Sequence, residues 1–359
     1  MKVLHVESGR FLYGGARQVQ YLLEGLRARG VDNLLACPQG SDIATAARPF
    51  ARVIEMPMRG DADFRLAGRL SALIRAEAPD LVHLHSRRGA DLWGALAARR
   101  CGTPCILSRR VDNPEPRWLA AVKYRLFDHI VTISEGIRQV LLDEGVPAGK
   151  VSCVRSAVDP TPYLQAYDKA AFRHRLDLPE TALLAGVVAQ LIERKGHRHL
   201  LAALPDVLAR HPDLVVLIYG RGPLEGRLKE QIAAAGLGDV VRLMGFVEDL
   251  PAQLGCLDLL VHPADMEGLG VSLLQAAAAR VPVIASRAGG MPEAVRDGIN
   301  GLLIMPGDVA GLGRAMDRLL GDASLRAAMG DAGRALVQRE FSVDVMCEGN
   351  LAIYRQVLA

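Results

Sequence analysis

Apolar and polar positions along this chain follow two rhythms that take turns from end to end. Short runs rich in Val, Ile, Leu and Cys fall at 3–6, 33–37, 53–56, 81–85, 104–108 and 129–133, the length and content of buried strands. Between them lie longer stretches with apolar residues at helical spacing, such as 16–29 and 64–77. Alternation of this kind predicts βα units and a parallel sheet. The rhythm breaks at 154–162, where Arg155-Ser156-Ala157-Val158-Asp159-Pro160-Thr161-Pro162 reads as a proline-bearing connection. It then restarts, with strands predicted at 183–189, 214–219, 240–244, 257–261 and 282–285, and from 309 onward it reads as helices only. The prediction is an α/β chain of two Rossmann-like domains, 1–160 and 161–340, followed by a terminal helix in 341–359. Doubly wound sheets bind ligands beyond the C-terminal ends of their strands. The chemistry is therefore expected in the loops that follow the strands.

Composition agrees with that architecture. The 359 residues are long for one core and comfortable for two, and 50% hydrophobic with 23% charged content fits a globular chain. No apolar run reaches the roughly 18–20 residues needed to cross a bilayer. The opening segment, 1–6, is too short for a signal peptide, so a cytoplasmic location is expected. Cys37, Cys101, Cys105, Cys153, Cys256 and Cys347 form no C-x-x-C pair and no zinc spacing with histidine, and are expected as reduced buried thiols. Net charge is only +3, but residues 1–160 hold 23 Lys/Arg against 17 Asp/Glu and the remainder 20 against 23. The stretch 87–125 carries nine basic residues against three acidic ones. It reads either as a solvated face or as a patch for an anionic partner: a phosphate, a sugar acid or a lipid headgroup.

Several motifs sit at the predicted strand ends. Gly14-Gly15 opens the helix after the first strand, where backbone can approach a ligand and helix-start N–H groups are free. Lys195-Gly196 follows the first strand of the second half, a place from which a lysine can neutralise a diphosphate. Tyr219-Gly220-Arg221-Gly222-Pro223 lacks the third glycine of a dinucleotide fingerprint, which excludes a standard NAD site. After the strand at 257–261 comes His262-Pro263-Ala264-Asp265-Met266-Glu267-Gly268-Leu269-Gly270-Val271, an acid beside a Gly-x-Gly helix start. A carboxylate there repels phosphate unless it faces something else, such as sugar hydroxyls. Gln275 follows about two helical turns after Glu267. Asp61-Ala62-Asp63 reads as the N-cap of the helix at 64–77 rather than as a metal site. No nucleic-acid reader module is recognisable.

Taken in order, Glu267-Gly-x-Gly, Pro282-Val283-Ile284-Ala285-Ser286, Gly289-Gly290-Met291-Pro292-Glu293, Asp297-Gly298-Ile299-Asn300-Gly301 and Pro306-Gly307-Asp308 resemble the C-terminal half of family 4 retaining glycosyltransferases. The Lys-Gly, Gly-x-Gly-Pro and N-terminal Gly-Gly motifs extend the resemblance over nearly the whole chain. It implies a GT-B fold, two Rossmann-like domains facing each other across a cleft, with the last helix packing back on the first. It implies a nucleotide-sugar donor as co-substrate, with no cofactor and no metal. By the same resemblance Lys195 would contact the donor diphosphate and Glu267 a sugar hydroxyl. The amides of Gly268, Leu269, Gly270 and Val271 would approach sugar and phosphate, backbone near Phe246 would meet the base, and Gly14 and Gly15 would close on the phosphate. Transfer would retain anomeric stereochemistry, the departing diphosphate taking the acceptor proton, so the protein's task is to stabilise charge on that leaving group.

Three departures from the family pattern stand out. Gln275 replaces a glutamate that binds ribose hydroxyls, and Gln190 replaces an arginine of the phosphate site. Where many members carry Thr-x-His-Gly, this chain has Ser108-Arg109-Arg110-Val111. Arg109 or Arg110 supplies the missing charge or binds an anionic acceptor. His85, before Ser86-Arg87-Arg88, is a candidate for serving the acceptor, with a structural strand-end histidine as the other reading. The expected acceptor is an anionic glycan or glycolipid, as in lipopolysaccharide or surface-polysaccharide synthesis, with peripheral association at an anionic membrane face. Two rivals stand beside this reading. A sugar-nucleotide epimerase needs an acid or base near the sugar ring, and a catalytically weak nucleotide-sugar-binding subunit would explain Gln190 and Gln275.

Overall fold

A computed structural model of the chain describes residues 1–85 and 89–359. It divides into two units, Met1–Ala157 with Val343–Ala359, and Val158–Ser342. No helix among the described residues is long and apolar enough to cross a membrane.

The first unit is built on seven parallel strands: β1 (Lys2–Val6), β2 (Asp32–Pro38), β3 (Arg52–Met56), β4 (Leu81–Leu84), β5 (Cys105–Arg109), β6 (His129–Thr132) and β7 (Val151–Cys153). Their order is β3-β2-β1-β4-β5-β6-β7, so the direction of winding reverses between β1 and β4. Near-continuous apolar strands such as Val3, Leu4 and Val6 are fully buried because helices cover both faces. The helix Gly14–Ala28 presents Val19, Leu22, Leu23 and Leu26 at helical spacing to that sheet. Beside it packs the helix that closes the chain, Val343–Leu358. A Cβ at Gly25 would lie 2.2 Å from Cys347 Sγ, so glycine sets how near the two helices come. Arg29 ties the same pair, donating to Asp344 and Glu348 at 2.9 Å each.

The second unit has six parallel strands: β8 (Leu183–Val188), β9 (Leu214–Tyr219), β10 (Val241–Gly245), β11 (Leu259–His262), β12 (Val283–Ser286) and β13 (Gly301–Ile304). Their order, β10-β9-β8-β11-β12-β13, repeats the plan of the first sheet and reverses between β8 and β11. Helix starts are fixed by side-chain caps: Asp168, Asp308 and Asp322 accept from the amides of Ala171, Gly311 and Leu325 at 2.8, 2.7 and 2.8 Å.

Several expectations change. β7 and β13 were not foreseen; the first has three residues and the second sits inside turn-like sequence, so neither displays a period. The strand expected at 257–261 runs from Leu259 to His262, which brings His262 to a strand end. Asp63 is not a side-chain cap of the helix Arg65–Glu77: the cap position is Phe64, and the Asp63 carboxylate accepts from Arg59 N at 3.0 Å and Arg69 at 2.5 Å instead. The cysteines are free, but Cys101 and Cys153 are only half-buried because they lie at element ends.

Candidate functional site

The loops after β8 and β11 meet at the reversal point of the second sheet. Gly196, at φ +70°, makes this possible, because a Cβ there would sit 1.9 Å from Pro263 O. Asp265 N then donates to Arg194 O at 2.9 Å, and the Asp265 carboxylate is taken up by Arg198 at 2.5 Å and His199 at 2.9 Å. The loops are thus stitched together by groups that face each other. Arg194 reaches across to Met266 O at 3.4 Å.

This stitching sets Lys195, 7% exposed, against Glu267 in a direct ion pair. His262 Nε2 lies 3.0 Å from the same carboxylate oxygen, and Gly268 N donates to the other at 3.1 Å. Burial alone would raise the Glu267 carboxyl, but the hydrogen bond from His262, together with nearby His262 and Lys195, holds it far below the ordinary carboxylate range. Glu267 is therefore an anion at any physiological pH. Removing one partner of such a pair costs about 3–5 kcal/mol, since the other is left charged and desolvated. His197, just after Gly196, is buried with neither ring nitrogen partnered among the described residues. Its pKa is pushed down to about 4, first by burial and then by His262 and Lys195.

The remaining residues expected around the donor are placed as follows. Gly270, at φ +86°, is the N-cap of the helix Val271–Ala278, and Leu269 is buried beside it. Gln275 is half-buried on that helix and Gln190 is exposed after β8; among the described residues neither side chain makes a hydrogen bond. Phe246 is half exposed after β10, with the Arg221 guanidinium 5.8 Å from its ring centre. Lys195 and Glu267 are thus brought together, and His262, which carried no assigned role in the sequence, joins them.

In the first unit the reversal point is lined differently. His5 on β1 pairs in register with His83 on β4, and His85 follows just beyond that strand. His5 Nδ1 is 2.9 Å from His85 Nε2, and His83 bonds Tyr354 OH at 2.6 Å and Ser108 Oγ at 2.8 Å. Burial, first of all, lowers the pKa of each, that of His5 to about 3. His85 is 2% exposed and turned onto His5, an arrangement that fits the structural strand-end histidine, one of the two readings of this residue; Ser86, Arg87 and Arg88 lie outside the described residues. The two candidate arginines also separate. Arg109 is buried, donating to Glu115 at 3.1 Å and Asn113 O at 2.5 Å, so its charge is already committed. Arg110 is half-buried, and its Cδ lies 3.8 Å from where a Cβ on Gly15 would be, beside the exposed Gly14-Gly15 helix start. Its Nε has no partner among the described residues, and burial lowers its pKa.

His5, His83 and His85 also bring three nitrogen atoms within 4.8 Å of one another. They fit a metal poorly. Both nitrogens of His83 are engaged, His5 and His85 are bonded to each other, and the Arg110 charge acts on His83 and His85. Within 87–125, Lys123 is tied to Asp91 at 2.9 Å and Glu115 at 3.1 Å. Arg99, Arg100, Arg117 and Arg125 are exposed, as are Trp118, Leu119 and Val122 on the helix Arg117–Lys123.

Comparisons with known proteins follow the two units. Residues 13–161 match the family described as Glycosyltransferase Family 4, and residues 168–336 match Glycosyl transferases group 1. Over 297 residues, 77% of each chain, the sequence is 31% identical to a 2-deoxystreptamine glucosyltransferase of Streptomyces kanamyceticus. It is 38% identical over 190 residues to a GDP-mannose-dependent monoacylated alpha-(1-6)-phosphatidylinositol monomannoside mannosyltransferase of Corynebacterium glutamicum, a match spanning 50% of this chain and 49% of that one. Similarity to the lipopolysaccharide core biosynthesis glycosyltransferase LpsE of Rhizobium meliloti is 28% identity over 367 residues, covering 100% and 99% of the two chains. Among solved structures, a glycosyltransferase from Rickettsia africae superposes with a TM-score of 0.88 at 21% identity, covering 99% of this chain and 98% of that one. Anabaena HepE, solved in complex with UDP, gives 0.85 at 20% identity, covering 99% and 100%. At such identities these two likenesses concern the fold.

Proposed function

Because the chain belongs to the family 4 glycosyltransferases, the glycosyl transferases group 1, we propose that it moves a sugar from a nucleotide-sugar donor to a cell-envelope glycan or glycolipid, with retention and without a metal. Its two Rossmann-like units are those of a GT-B glycosyltransferase. The observation that carries the donor reading is the Lys195–Glu267 pair at the reversal point of β8 and β11. An ammonium and a carboxylate side by side suit a ligand that is anionic at one end and rich in hydroxyls at the other. Lys195 would counter charge building on the departing diphosphate, the task a divalent cation performs elsewhere, while Glu267 holds the sugar ring. Arg110 and the Gly14-Gly15 helix start offer a second anion-binding element in the first unit. With Arg109 committed to Glu115, Arg110 is the arginine of this pair that stands beside the helix start.

The full-length likeness to a lipopolysaccharide core enzyme supports an envelope glycolipid as acceptor. So does the helix Arg117–Lys123, which exposes Trp118 and Val122 next to Arg117 and suits an anionic lipid surface. The donor reading is tested by melting the protein with UDP, GDP and ADP and with their hexose conjugates. A ligand bound at 100 times its Kd stabilises by about 2.7 kcal/mol. One nucleotide series is expected to raise the melting point in wild type and not in Lys195→Ala. A rise that Lys195→Ala leaves intact removes this reading.

A further inference from the structure

His262 is the last residue of β11 and 1% exposed. Its Nε2 reaches Glu267 Oε2 at 3.0 Å, the oxygen that also receives Lys195, while its Nδ1 has no partner among the described residues. An ionised carboxylate only accepts, so the proton between Nε2 and Oε2 sits on Nε2 and His262 donates to Glu267. We propose that His262 is a positioning residue, holding the Glu267 carboxylate in its sugar-facing place once a donor's diphosphate draws Lys195 away. This rests on the donor reading above.

Among the described residues Glu267 has three donors: Lys195, His262 and Gly268 N. Lysine is a mobile point charge on a flexible stem, and a diphosphate competes for it directly. Glu267 then keeps only the imidazole and one amide. The amide is that of the next residue in the chain, which constrains the carboxylate less than a group fixed at a strand end. His262 is such a group, buried and anchored by the sheet. Its contribution is therefore expected to be small while Lys195 covers Glu267, and large when a sugar nucleotide fills the site. A nucleoside diphosphate without its sugar needs Lys195 but makes no use of Glu267. Loss of His262 should then separate the two ligands.

The test measures binding calorimetrically in the absence of acceptor, using whichever of UDP, GDP and ADP stabilises the protein most, and the hexose conjugate of the same nucleotide. His262→Ala is expected to leave the nucleoside diphosphate within about twofold and to weaken the sugar nucleotide about tenfold to a hundredfold, the range for a hydrogen bond to a charged group. His262→Gln, whose amide N–H extends to a similar reach, is expected to restore most of that loss. Melting curves identify any variant that fails to fold, in which case His262→Asn carries the comparison. Equal weakening of both ligands, no weakening of either, or no recovery in His262→Gln would overturn the proposal. If Lys195→Ala binds both ligands like wild type, the donor reading fails first. If Lys195→Ala loses both and His262→Ala loses neither, only the positioning role of His262 is lost.

Discussion

Both sheets reverse their winding at an equivalent place, between β1 and β4 in one unit and between β8 and β11 in the other, and they fill that place with opposite chemistry. The second unit puts an ammonium against a carboxylate, and, against the effect of burial, the hydrogen bond from His262 together with Lys195 holds the Glu267 carboxyl far below the ordinary carboxylate range. In the first, three imidazoles are kept neutral by burial, His5 bonded to His85 and His83 bonded to Ser108 and Tyr354. A reversal point thus supplies a location, and the residues on the two loops decide what is done there. Charge at the second suits binding and transfer. The first offers an uncharged floor beside Arg110 and the Gly14-Gly15 helix start.

The sharpest way to break this contrast is to remove one cation from each unit. Lys195→Ala is expected to lower donor turnover about 10²–10³-fold, as loss of a group stabilising transition-state charge does. It also leaves Glu267 buried and unpaired, a cost of about 3–5 kcal/mol in stability. Glu267→Gln added to it should recover much of the stability and none of the turnover, which separates chemistry from folding. Arg110→Ala should cost about tenfold, because it assists from a half-buried position beside a helix start rather than against the leaving group. Steady-state rates and denaturant melts of the variants check both. A larger loss for Arg110→Ala than for Lys195→Ala would invert the assignment of roles.

What the sequence made legible follows the same divide. The donor side is written in contiguous text: Glu267-Gly-x-Gly and Lys195-Gly196 can each be read as a strand-end motif before any fold is known. That Lys195 and Glu267 touch, and that His262 joins them, depends on β11 ending one residue later than its apolar run suggests. The histidine cluster is harder still, because His5 meets His83 only through the parallel register of strands far apart in sequence. Arg109 and Arg110 look equivalent as neighbours. Glu115, arriving from a later turn, claims Arg109 and leaves Arg110 beside Gly15, and no local pattern announces that choice.

A second way to sharpen the contrast is acid. In the unfolded chain an imidazole takes up its proton near 6.5, whereas folded His5 holds out to about 3, and His83 and His85 are shifted in the same direction. Between those values the unfolded chain binds more protons, so the stability present above about pH 6.5 is lost as pH falls through that window. Each such group costs about 1.4 kcal/mol per pH unit. The second unit has His197 to lose in this range, with Glu267 adding the same sign only below the ordinary carboxylate range. Hydrogen exchange between pH 7 and 5 should therefore show the first unit losing protection sooner than the second. His5→Gln should flatten the slope of melting temperature against pH, whatever it does to the temperature itself. Parallel loss in both units would mean that burial of the cluster has no energetic consequence.

The smallest expected effect concerns what the first unit exposes outside its reversal point. Trp118 is 72% exposed and Val122 64% exposed on one short helix, with Arg117 at its start and Lys123, committed to Asp91, at its end. Apolar side chains that leave water only on meeting a bilayer, next to cations that follow anionic headgroups, should give weak and salt-dependent adsorption, with about 1 kcal/mol from each basic residue near the surface. Vesicles containing phosphatidylglycerol should bind the protein and pure phosphatidylcholine vesicles should not. The double change Trp118→Ser with Val122→Ser is expected to weaken that binding about tenfold, roughly 1.4 kcal/mol, because each apolar side chain enters the headgroup region only in part, while leaving binding of donor nucleotide in the second unit as it was. In a Trp93→Phe background, Trp118 emission should shift to the blue as anionic vesicles are added. An emission that stays put, or adsorption indifferent to salt and lipid charge, would leave this helix as an ordinary exposed surface and confine the chemistry of the first unit to the neighbourhood of Arg110.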